Sequence, residues 1–124
     1  MAEKHYRASE RRNIFRFSVT FTLILINVVA FILFYVLLAT EAITLDFIAI
    51  KPSNILNGDY LWTFLTSMFM HGGLLHLFVN MLSLLFIGSL VEKILGRRRY
   101  FYFYMTAGLF AGLVFILSSF AFPA

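Results

Sequence analysis

The chain has 124 residues, room for a single domain. Hydrophobic residues make up 61% of it and charged residues 13%, against about 45–50% and about 25% in soluble domains. That balance excludes an ordinary soluble fold and points to an integral membrane protein. The net charge of +4 is not spread over a face, as a nucleic-acid-binding surface would require. Five of the ten Lys and Arg residues precede Phe17, four lie between Lys93 and Arg99, and Lys51 is the tenth. Positive charge at the ends of apolar runs sets membrane topology, so lipid is the expected partner and nucleic acid is not. The chain has no cysteine, which excludes disulfides and thiolate metal sites.

Residues 1–16 are polar and basic, and read as a cytoplasmic tail attracted to anionic headgroups. Residues 17–124 form the membrane domain. Its first predicted helix covers residues 17–39, where the clearly polar members are Ser18, Thr20, Thr22 and Asn27. About 20 residues cross a bilayer. A signal peptide has an apolar core of about 7–15 residues; this run is longer, so a retained helix is expected.

Residues 41–60 form a loop with the turn formers Pro52, Ser53, Asn54, Asn57, Gly58 and Asp59. It carries three acids and one Lys, which places it on the translocated side. Residues 61–70 are apolar but too short to span. They suit a re-entrant piece held at membrane depth by the protein, with Trp62 at the interface. Gly72 and Gly73 then break the chain, and a second helix is expected over residues 74–95. Residues 96–99 make a basic turn. The third helix runs from about residue 100 to 120, opening on an aromatic belt from Tyr100 to Tyr104. Its Gly108 and Gly112 offer a close-approach face that wants a partner helix. The expected architecture is all-α and polytopic, a multi-pass cell-membrane protein with three transmembrane helices and its N-terminus in the cytoplasm.

Polar groups inside such helices need partners or a protein interior. His76 and Asn80 are four apart, on one face of the second helix. An imidazole N–H and an amide NH₂ are neutral donors, suited to an oxyanion formed in acyl transfer. The same pair also suits hydrogen bonding between helices, which spacing alone favours. His71, beside the glycine break, reads as a loop residue bonded to backbone carbonyls. Two His with no carboxylate nearby make a poor metal site, and no cofactor is expected. Gly88, Glu92 and Gly96 share a stripe at spacing four. Glu92 either snorkels to the interface or bonds buried loop groups, both structural roles. Ser83 and Ser89 lack flanking glycines, and no His follows His76. Activated serine chemistry needs a base within reach, so no self-contained Ser–His pair is expected.

Taken in order, Trp62, the run from Thr66 to Gly73, His76-x-x-x-Asn80, Gly88-x-x-x-Glu92-x-x-x-Gly96, Tyr104 and Gly108 resemble the rhomboid intramembrane serine proteases. The resemblance covers about half of the chain. It implies the N-terminal half of a six-helix bundle with a membrane-dipping first loop. It implies a serine endopeptidase whose oxyanion is held by His76 and Asn80. It also implies structural roles for Trp62, His71, Gly88, Glu92 and Gly96, the last three in helix packing. Where the family often carries Trp-Arg, this chain reads Trp62-Thr63. The family's Gly-x-Ser-Gly motif and later His do not occur in the 124 residues. Two functions follow. One is a protease fragment, inactive alone, with transmembrane substrates or a C-terminal half as partners. The other is a non-catalytic rhomboid-like binder of client helices. A structural subunit unrelated to proteolysis is a third, weaker alternative.

Overall fold

The computed structural model describes residues 18–121. The expected basic tail, residues 1–16, lies outside them. Three helices are long and apolar enough to cross a membrane: Val19–Ala39, Leu74–Leu95 and Arg97–Ala121. No strand occurs among the described residues.

Helix α1 is Val19–Ala39, capped by Ser18, whose Oγ accepts from the Phe21 N–H at 3.4 Å. The loop after it holds a 3₁₀ turn at Leu45–Phe47, then α2 (Pro52–Leu56) and α3 (Thr63–Thr66), then a second 3₁₀ turn at Ser67–Phe69. The short apolar piece at residues 61–70 folds as α3 and the second 3₁₀ turn. Helix α4 (Leu74–Ser83) starts directly after Gly73 and runs through a π-helical turn, Leu84–Gly88, into α5 (Ser89–Leu95). A π turn holds one residue more per turn than the α-helix, and such turns mark functional sites often. Helix α6 is Arg97–Ala121. It begins three residues earlier than the sequence suggests. Gly96 alone makes the break, with φ +79°, a left-handed conformation that other residues adopt at a cost.

Glu92 is 9% exposed and ties the helices together. Its Oε2 accepts from Ser18 Oγ at 2.6 Å, Thr20 Oγ1 at 2.7 Å and the Thr20 N–H at 2.9 Å. Its Oε1 accepts from the Val19 N–H at 2.8 Å. The first N–H groups of a helix have no partner of their own, and that end is electropositive. Glu92 thus caps α1 from another helix, with Arg97 Nε 3.8 Å away. This corrects both sequence readings: Glu92 does not snorkel, and its partners are a helix start, not loop groups.

The glycine stripe splits into separate jobs. A Cβ on Gly88 would lie 2.5 Å from the Tyr100 hydroxyl, so Gly88 lets α6 approach closely. A Cβ on Gly96 would meet nothing within 4 Å; its role is the turn, not packing. The face of Gly108 and Gly112 is covered in part by the loop. A Cβ on Gly108 would lie 2.9 Å from Met68 Sδ, and one on Gly112 would lie 3.1 Å from Phe64 Cδ1. Part of that small-residue face is thus packed by Met68 and Phe64 of the chain's own loop, and both glycines also border a cavity.

Candidate functional site

The loop is fastened first. Trp62 Nε1 donates to the Phe47 carbonyl at 2.9 Å, and its ring lies 5.3 Å from those of Phe47 and Tyr60. Thr66 Oγ1 donates to the Ile48 carbonyl at 2.9 Å. Thr63, where the family often has Arg, is buried and donates to the Tyr60 carbonyl at 2.7 Å. Tyr60 itself sits at φ +52°, an uncommon conformation for a residue with a side chain. Trp62 therefore anchors the loop without a neighbouring Arg.

Between this loop, α4–α5 and α6 lies a cavity of about 620 Å³. One wall is a stripe of α6 from Tyr100 to Phe115, about 22 Å long at 1.5 Å per residue. Asn80 lines the opposite wall, with Ser83 one turn further. Ser67 and His71 close the loop end. The floor contains Asn27, which is 1% exposed. Its Nδ2 donates to the Leu23 carbonyl at 2.7 Å and lies 3.4 Å from the Tyr104 hydroxyl. Sequence reasoning noted Asn27 and Tyr104 separately and missed their pairing. The signal was present: an amide in the middle of an apolar helix needs a partner. The buried Tyr100 hydroxyl also lines the cavity and makes no hydrogen bond of good geometry among the described residues.

The two residues expected to share a task are placed differently. Asn80 is half-buried on the cavity wall, and its amide makes no hydrogen bond among the described residues. His76 is exposed and is not part of that wall. Its ring instead meets His71, centroid to centroid at 5.3 Å. His71 bonds the Phe69 carbonyl through Nδ1 at 3.2 Å, as expected of a loop His. Its pKa is lowered, chiefly by burial, with the Phe69 bond opposing and the charge of His76 adding to the effect. His71 also lines a smaller crevice of about 320 Å³ between the loop end and α1. Among the described residues no group of three or more His, Asp or Glu could hold a metal ion.

A family model described as the Rhomboid domain matches residues 58–124, which include the loop anchor, the cavity walls and Glu92. The chain belongs to the rhomboid family. Three similar proteins come from Arabidopsis thaliana. RHOMBOID-like protein 4 is 36% identical over 58% of this chain and 18% of its own length. RHOMBOID-like protein 2 is 44% identical over 39% of this chain and 15% of its own length. Inactive RHOMBOID-like protein 8 is 39% identical over 46% of this chain and 16% of its own length. The matched segment thus spans less than a fifth of these relatives. No solved structure matches the chain.

Proposed function

We propose that this chain is the oxyanion-binding part of a rhomboid-type intramembrane serine protease. The observation that carries the reading is Asn80: a half-buried amide that makes no hydrogen bond among the described residues, on the wall of an open cavity between apolar helices. An amide within a membrane-spanning helix is favourable only where it meets a polar partner or a protein interior, so its open position on the cavity wall suits a bound group. An amide NH₂ donates without carrying charge, so it suits negative charge that develops only during reaction. His76, one turn earlier on α4, would supply the second donor once its ring turns toward the cavity.

In this reading the nucleophile and its base belong to a segment outside the 124 residues, and that segment enters the cavity. The serine hydroxyl attacks the peptide carbonyl of a transmembrane substrate as its proton passes to the His. The carbonyl oxygen becomes an oxyanion held by Asn80 and His76. The base then protonates the leaving amine, and water releases the acyl group. Glu92, Gly88 and Trp62 hold the walls and touch no substrate. The Arg97 end of the bundle faces the cytoplasm together with the N-terminus, by the distribution of Lys and Arg. The remaining partner is membrane lipid.

The test is a chimaera joining this chain to the downstream segment of an active rhomboid. Asn80→Ala should lower kcat for a transmembrane substrate about 10²–10³-fold, as loss of one oxyanion donor does. Equal cleavage by the parent and Asn80→Ala chimaeras would overturn the proposal.

The second reading is a non-catalytic binder of client helices. The exposure of His76 away from the cavity favours it, as does likeness to a relative named inactive. It requires that crosslinked client helices be recovered equally with His76→Ala.

A further inference from the structure

His71 and His76 stand on either side of the Gly72–Gly73 break, with ring planes at 63°. A carbonyl oxygen only accepts, so the His71 Nδ1 that bonds Phe69 carries the proton and Nε2 carries the lone pair. Imidazoles that bind metals are held in this way: the ring N–H away from the metal is donated, often to a backbone carbonyl, and the other nitrogen is left to coordinate. The His76 ring forms no hydrogen bond among the described residues and is exposed at the protein surface. The backbone between the two rings is uncrowded, since a Cβ on Gly72 or Gly73 would meet nothing within 4 Å. The rings already touch, and the exposed His76 ring is free of packing that would stop it turning a nitrogen toward His71.

We propose that His71 and His76 form a two-imidazole site for a divalent first-row transition cation, Cu²⁺ or Zn²⁺. Imidazole suits these ions, with metal–nitrogen distances of about 2.0–2.1 Å for zinc. With no third side-chain ligand among the described residues, water fills the remaining positions. The ion is exchangeable, unlike a four-ligand structural zinc. Bound, it ties the loop to the first turn of α4 across the glycines. It also holds the His76 ring against His71 and away from the cavity that Asn80 lines. The consequence, inhibition by the ion, rests on the protease reading; the binding itself does not.

The test uses the full chain without a polyhistidine tag, in detergent micelles. The chain's third His, His5, is replaced by Ala to leave only the pair. Cu²⁺ is titrated and followed by electron paramagnetic resonance, then competed with Zn²⁺. The expected result is one saturable site with two imidazole nitrogens on the metal. His71→Ala and His76→Ala should each weaken it at least about tenfold, no less than the loss of a supporting residue at its mildest. Circular dichroism checks that helicity is kept. A one-nitrogen signal, or unchanged affinity in either variant, would overturn the proposal. If an Ala variant unfolds, the nitrogen count in the otherwise unaltered pair decides.

Discussion

Replacing Glu92 by Gln should destabilise the bundle by about 3–5 kcal/mol, the range for breaking a buried charged partnership. Four donors converge on the carboxylate: two hydroxyls and two N–H groups from Ser18, Val19 and Thr20. A Gln amide has one oxygen. If it takes the three-donor position of Oε2, its NH₂ faces the Val19 N–H and that bond is lost. The other three become neutral, and charged hydrogen bonds are about twice as strong as neutral ones. One bond lost at about 2 kcal/mol and three weakened by about 1 kcal/mol each sum to about 5 kcal/mol. Shared dependence on one carboxylate brings the total below that sum. The assay is equilibrium unfolding in mixed micelles, as a double-mutant cycle with Ser18→Ala. Ser18→Ala alone should cost about 1.5–3 kcal/mol, and about 1 kcal/mol or less once Glu92 is Gln. A Glu92→Gln variant within about 0.5 kcal/mol of the parent would refute the reasoning, because surface substitutions fall in that range.

Tyr100→Phe should be neutral or stabilising by about 1 kcal/mol in the same assay, since the buried hydroxyl makes no hydrogen bond of good geometry among the described residues. Gly88→Ala should cost about 1–3 kcal/mol by overpacking against that hydroxyl, and Tyr100→Phe should restore part of the loss. Stability should fall as pH drops below the ordinary His value of 6.5, because the unfolded chain protonates His71 before the folded chain does. Melting temperatures at about pH 7.5 and pH 5 check this, and His71→Gln should flatten the difference. Trp62→Phe should loosen the loop by about 1 kcal/mol, the worth of its bond to Phe47, and hydrogen exchange across residues 41–60 reads the change.

The three long helices were legible because apolar length and flanking charge are local properties. The start of α4 was legible because the break at Gly73 is local; Ser18, read as lying inside the first helix, is instead its cap. Glu92 could be singled out but not understood. Its partners lie 72 to 74 residues away, and an N-terminal helix turn carries no mark of what caps it. Gly108 and Gly112 signalled close approach, yet nothing in a small-residue pair tells a partner helix from Met68 and Phe64 of the chain's own loop. The π turn at Leu84–Gly88 has no sequence signature here. At the candidate site, spacing placed His76 and Asn80 on one helix face. It could not foresee that the cavity reaches Asn80 and leaves His76 beside His71.

The central claim is that this chain prepares a site for negative charge while the attacking group resides elsewhere. Treating the isolated 124-residue protein with a serine-reactive fluorophosphonate tests it most directly. The account predicts no covalent adduct by intact-protein mass spectrometry. An adduct on any serine of the chain, lost in His76→Ala, would mean that the chain holds its own nucleophile and base.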